Sequence, residues 1–322
     1  MKHKKYSALI IGANYGLKTI YPILSNKKNI NLIGICSLNK KNLKSGSINF
    51  LNDWRKVIKN YKPDFVALAV PPIIQSEIIK YLILQNIPFF GQKPLSYNLS
   101  DAKLIVKQIK KKKLLTSFDL NFLKLKTIIK FKKIIQEKKI YNSKIIIKWI
   151  FESKTLENKF SWKNSSKVGG GVLYNFGFHL FSILVDIFGI LKLTMVRKNK
   201  NSYQLCFVDK NKNNLEVFLS NEKNNKNFFD ISVIDNKEDV VSIRNTSKNY
   251  HDNFTIRKNK RILFVQKNSK NSRTSRKIAS EINIKNFFID LKKNNKNLLS
   301  QNLDICIQVH KIINDIVYKR LI

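Results

Sequence analysis

Asn175, His179, Ser182 and Asp186 fall at i, i+4, i+7 and i+11 in a segment, 169–189, whose other residues are almost all apolar or glycine. Read as a helix, Val172, Leu173, Phe176, Leu180, Ile183, Leu184 and Phe188 cover nearly every side of it, so the four polar residues form one narrow stripe. A helix that is apolar all round is buried. Its polar residues must then find partners or face a polar cavity. Two readings follow. His179 is a satisfied core histidine beside an amide, or His179 and Asn175 line a substrate cleft. In the second reading Gly169, Gly170 and Gly171 let another backbone or a ligand approach closely.

Two further clusters stand where strands are expected to end. Gly12-Ala13-Asn14-Tyr15-Gly16-Leu17 has the place of a dinucleotide turn, in which backbone amides and a helix N-terminus receive pyrophosphate. It departs from G-x-G-x-x-G: Asn14 holds the middle glycine's place, Leu17 holds the last, and Gly16 comes one position early. Asn tolerates left-handed backbone, so the turn can survive, and a plain tight turn is the other reading. Phe89-Phe90-Gly91-Gln92-Lys93-Pro94-Leu95 places a lysine at a strand end. That lysine is either a surface charge or a cation aimed into a cleft, and Pro94 pins the geometry beside it.

The elements that would carry these clusters alternate. Strands are expected at 7–11, 31–36, 65–70, 87–90 and 114–118, with helices at 17–24, 76–85 and 100–112 and a weaker stretch at 53–60. Continuous apolar strands alternating with helices predict a parallel sheet covered on both faces, with ligands at the carboxyl ends of its strands. The second strand ends at Ser37, where an NAD-selective site carries an acid. Ser37 with Lys40 and Lys41 nearby favours a 2′-phosphate instead, hence NADP over NAD. Strands at 144–151, 204–208, 215–219, 229–234, 240–243 and 262–265, and helices at 287–293 and 303–318, complete the chain. Residues 268–277 read as a mobile loop.

Composition points elsewhere and misleads. The 322 residues carry 61 Lys and Arg against 21 Asp and Glu, a formal charge of +40. Only eight of the cations are arginine, the residue favoured for bidentate phosphate and base recognition. The lysines run along the whole chain mixed with Asn and Ile, the pattern that an AT-rich genome imposes. No finger spacing or basic heptad is present, so nucleic acid is not the expected partner. Cys36, Cys206 and Cys306 form no metal or redox motif and fit a reducing cytoplasm. The four histidines cluster with no carboxylates, so no metal is expected. No apolar run approaches a membrane span.

In order, the glycine turn, Ala69-Val70-Pro71-Pro72, Gln92-Lys93-Pro94 and the segment from Gly169 to His179 resemble the Gfo/Idh/MocA oxidoreductase family. The resemblance covers residues 7 to about 190 well and the terminal helices more loosely. It implies an α/β chain: a Rossmann NAD(P)-binding domain over 1–119, then an α/β domain over 120–322 built on a large, mostly antiparallel sheet. That second domain would bind substrate and make a homo-dimer or homo-tetramer. The implied activity is hydride transfer between nicotinamide and a carbinol carbon of a sugar, nucleotide sugar or cyclitol. The resemblance assigns cofactor contact to Gly12, Asn14, Tyr15, Gly16, Ser37, Val70, Pro71, Pro72, Gln92 and Lys93. It makes Lys93 catalytic as well, His179 the general acid/base and Asn175 an orienting residue. Several residues depart from the pattern. Gln92 replaces a Glu, Gln75 stands where many members have His, Asn175 and Ser182 replace Asp, and the arginine expected around 119–125 is missing. The alternative is therefore a cofactor-binding sensor or regulator of the same fold that has lost chemistry.

Overall fold

The computed structural model of the protein describes residues 4–37, 48–153, 156, 161–221, 227–247, 249–266, 274–293 and 299–318. The chain divides into two compact units, one of residues 1–120 with 280–304, the other of 121–279 with 305–322. Sequence places the whole of 120–322 in one domain; in the structure 280–304 cluster with the first unit.

The first unit is built on six parallel strands: β1 (Tyr6–Ile11), β2 (Ile30–Cys36), β3 (Phe50–Leu51), β4 (Phe65–Leu68), β5 (Phe89–Gly91) and β6 (Thr116–Phe118). Their order is β3-β2-β1-β4-β5-β6, with the switch between β1 and β4. Every residue of β4 is buried, as a strand covered on both faces requires. Helical residues 14–25 follow β1, ending in α1 (Tyr21–Ser25). Then come α2 (Trp54–Tyr61), α3 (Pro72–Leu84) and α4 (Leu99–Lys112). Side chains start two of them: Asp53 accepts the Arg55 and Lys56 amides, and Asn98 accepts the Asp101 amide. Phe287 and Phe288, from residues far along the chain, pack on this unit's core against Phe65.

The second unit holds α5 (Lys126–Lys138) and an eight-stranded sheet. Its strands are β7 (Lys144–Ile150), β8 (Lys192–Lys198), β9 (Ser202–Val208), β10 (Asn214–Ser220), β11 (Phe228–Ile234), β12 (Val240–Asn245), β13 (Thr255–Lys258) and β14 (Arg261–Val265). Their order is β14-β13-β12-β11-β7-β10-β9-β8, antiparallel except for β10 on β7. Along β7 buried and exposed residues alternate, with Ile145, Ile147 and Trp149 on the covered face. The long apolar segment is α6 (Phe178–Phe188), in which Phe178, Leu180, Phe181, Ile183 and Leu184 are fully buried. Two helices close the chain, α7 (Ser275–Lys293) and α8 (Leu299–Tyr318). Of the loop expected over 268–277, residues 268–273 lie outside the described residues, and from Ser275 the chain is helical. No described helix is long and apolar enough to cross a membrane, and all three cysteines are free thiols.

Candidate functional site

The turn after β1 is shaped by its first glycine. Gly12 has φ +108°, and a Cβ built there would overlap the carbonyl oxygen of Ala69 at the end of β4. No other residue type fits. Gly16 takes the close-packing task of the motif's last glycine, since a Cβ there would lie 2.9 Å from Ile10 Cγ2. From that early glycine the helix widens into a π-helical turn, Gly16–Ile20, one residue per turn wider than an α-helix.

Beside the turn opens a cavity of about 220 Å³ lined by Ile11, Gly12, Ala13, Cys36, Ser37, Asn52, Trp54, Ala69, Val70, Pro71, Ile74 and Ile78. Six of these, Gly12, Ala13, Ser37, Ala69, Val70 and Pro71, belong to the motifs read from sequence. Asn14, Tyr15, Gly16, Pro72, Gln92 and Lys93 are not among the lining residues. Asn52 and Trp54 were not foreseen; their signal was Asp53 as a helix start directly after a short apolar pair. Burial, then the charge of Asp53, pushes the Cys36 thiol up to about 12, so it lines the cavity as a neutral group. Lys40 and Lys41 lie outside the described residues.

The Gln92-Lys93-Pro94 turn has a buried support. The amide of Gln75, 1% exposed, donates to the Gln92 carbonyl at 2.7 Å and the Pro94 carbonyl at 2.8 Å. Its own oxygen accepts the Gln92 amide at 3.0 Å. The Lys93–Pro94 peptide is cis. Gln75 thus holds the backbone on both sides of Lys93, a task that uses both ends of a side-chain amide. The sequence marked Gln75 only as a departure.

In the second unit, residues 171–188 are helical throughout, with a π-helical turn at Leu173–Gly177. Gly170 lets another backbone approach, because a Cβ there would overlap the Trp162 carbonyl. The neighbouring turn is tied down by Asn175, whose amide donates to the Lys163 carbonyl at 2.7 Å and the Gly171 carbonyl at 3.0 Å. Burial, then Arg276, lowers the Lys163 ammonium below the ordinary lysine range. His179 is half-buried, its ring 4.7 Å from Phe122 and 6.4 Å from His251, while His251 is 4.4 Å from Phe122. Beside them Phe151 stacks on Phe176 at 3.7 Å, with Trp149 edge-on to both.

The stripe expected along this helix does not act as a unit. Ser182 is buried and donates to the Phe178 carbonyl of its own helix at 2.6 Å, and Asp186 pairs with Lys132 at 2.7 Å. Asn175 and His179 alone keep company with the glycine-rich turn and the aromatic cluster. The extra residue of the π turn shifts the register that a regular helix would have kept.

Residues 6–119 match the family of oxidoreductases with an NAD-binding Rossmann fold, Gfo/Idh/MocA. Over these residues the chain is similar to the Gfo/Idh/MocA oxidoreductases. Solved structures share the fold across nearly the whole chain. A dehydrogenase (MviM) from Clostridium difficile is 17% identical with a TM-score of 0.76, covering 98% of this chain and 99% of that one. KijD10, a 3-ketoreductase from Actinomadura kijaniata in complex with NADP and TDP-benzene, is 12% identical with a TM-score of 0.77, covering 98% and 97%. The WlbA dehydrogenase from Chromobacterium violaceum, in complex with NADH and UDP-GlcNAcA, is 12% identical with a TM-score of 0.78, covering 98% and 94%. No curated protein matches the sequence. The residues present fit a nicotinamide cofactor: Gly12 lets the turn pack directly on the Ala69 carbonyl, and an apolar cavity with Ser37 and Asn52 opens beside it.

Proposed function

We propose that the protein is an NAD(P)-dependent oxidoreductase moving hydride between nicotinamide and a carbinol carbon of a sugar-like substrate, most specifically a nucleotide sugar. The apolar cavity beside the Gly12 turn, at the carboxyl ends of β1, β2 and β4, carries this reading, because that is where a doubly covered parallel sheet receives a ligand. Bound nicotinamide supplies or accepts the hydride. The first unit would hold it and the second the substrate. The nucleotide-sugar class is supported by the ligands of the KijD10 and WlbA structures.

The chain's own residues divide the remaining work. Lys93, held through Gln75 at the backbone on either side, contacts cofactor and stabilises developing alkoxide charge. His179 takes and returns the hydroxyl proton, since a neutral imidazole suits proton transfer near pH 7. Asn175 has both amide protons committed to the Lys163 and Gly171 carbonyls, so it positions the glycine-rich turn in which the His179 helix begins. For the cofactor, we favour NADP: Ser37 lines the cavity, and no described carboxylate does so to repel a 2′-phosphate.

Fluorescence titration with NADH and NADPH, followed by turnover assays on nucleotide sugars, tests the reading. Micromolar saturable binding is expected, tighter for NADPH. Lys93→Ala should lower kcat by orders of magnitude with the fold intact. His179→Ala should cost about 10² to 10⁴ in rate. Normal rates in both variants would remove these two residues from the chemistry. Saturable binding with no turnover on any substrate would favour the sensor, and absence of binding would end the oxidoreductase reading.

A further inference from the structure

Asp119, just after β6, is 0% exposed, yet four side chains converge on its carboxylate. Tyr15 donates to Oδ2 at 2.9 Å, Ser280 to the same oxygen at 2.8 Å and Gln92 Nε2 to it at 3.2 Å. Asn283 donates to Oδ1 at 2.9 Å. The Tyr15 and Ser280 hydroxyls also meet each other at 2.8 Å. All five residues belong to the first unit. A buried carboxylate needs this many donors, and every one of these is electrically neutral.

Two of those donors come from the segments that the proposed function uses. Tyr15 stands in the glycine turn, and Gln92 immediately precedes Lys93. We propose that Asp119 is a positioning residue that locks these two turns to each other, and that Gln92 is the amide partner this buried acid requires. The proposal rests on the reading of the first unit as a nicotinamide-binding domain. Its chemistry is complementarity. An amide at 92 donates to the acid at 119, whereas a Glu at 92 would set two acceptors against each other unless they shared a proton. Gln92, which sequence marks as a departure from the motif, is then one half of a matched pair whose acid stands at 119.

The test is an exchange of the two groups, read by NADPH and NADH dissociation constants and by thermal unfolding of the unliganded protein. Gln92→Glu should raise the dissociation constant at least about tenfold at pH 8. Much of the loss should be recovered near pH 5.5, where a shared proton relieves the pair. Gln92→Leu removes the donor without adding charge, so binding should weaken severalfold with no new pH dependence. Asp119→Asn alone should also weaken binding. The double variant Gln92→Glu/Asp119→Asn reverses donor and acceptor: one proton of the new amide goes to the carboxylate introduced at 92, the other to one of the Tyr15 and Ser280 hydroxyls, and these two hydroxyls can bond each other. It should bind cofactor more tightly than Gln92→Glu and lose that variant's pH dependence.

Losses in the double variant that merely add, or a Gln92→Leu protein that binds as tightly as the parent, would overturn the proposal. A parent that binds neither cofactor would instead strike the functional reading. The hub is then judged on unfolding alone, where coupling between the two substitutions supports it and additivity sinks it.

Discussion

Asp101 shows how a single carboxylate can be worth more than its surroundings suggest. Burial opposes its ionisation, but the Lys80 ammonium and the Ser96 and Ser76 hydroxyls outweigh burial and hold it below the ordinary carboxylate range. Ser96 donates to it at 2.7 Å, and the charge lies in the first turn of α4, where a helix favours an anion. A depressed folded pKa contributes stability that is present above the unfolded value and is lost as pH falls through the folded one. Unfolding free energy from urea melts should therefore fall between about pH 5 and pH 2 more steeply in the parent than in Asp101→Asn. Equal slopes would mean that the pair is solvated in both states. Above pH 5 the variant should be less stable by about 1–2 kcal/mol, below the cost of breaking a fully buried pair because Lys80 is 41% exposed. At this scale sequence showed residue types well and partners poorly. Lys93 and His179 stood out, while Gln75, Asp119 and Asn52 are ordinary polar residues until tertiary folding brings their partners near.

Elements were legible where apolar periodicity set them. The five strands expected in the first unit, and the helices after them, all occur, because a doubly covered sheet demands apolar runs that few other structures need. Lysine obscured others. Helix α5 keeps a core face of Ile128, Phe131 and Ile135, but it is embedded in Lys126, Lys130, Lys132, Lys133 and Lys138. β8 and β13 likewise begin or end on charged residues. Neither π-helical turn could be read at all, since the widening depends on packing and not on residue type. The β1 turn offers a test of what one element requires. Gly12→Ala must give up φ +108° or push the Ala69 carbonyl aside, and either change moves the strand end that lines the cavity. Cofactor affinity should fall at least about tenfold, with stability reduced by about 1–3 kcal/mol. A variant that keeps its affinity while losing stability would separate the turn from the binding site.

For the whole molecule, charge is the property that local contacts do not settle. There are 61 basic residues and 21 acidic ones, so even complete pairing leaves most cations beside other cations. Several pairs that do form are exposed on both sides, among them Lys110–Asp304 and Lys144–Glu216. Such pairs contribute about 0–1 kcal/mol each, and salt weakens them. The repulsion of a net +40 acts in the opposite sense: it disfavours the compact state, and salt relieves it. The Debye length falls from roughly 20 Å at 20 mM to about 6 Å at 300 mM, a range that screens diffuse repulsion between charges spread along a chain. Thermal midpoints measured in sodium chloride over that range should therefore rise by several degrees, with most of the gain below 150 mM. Chloride suits the measurement because sulfate strengthens burial by a separate route. A midpoint that falls with salt would mean that paired charges outweigh the excess. The cationic surface would then be organised for stability instead of tolerated by it.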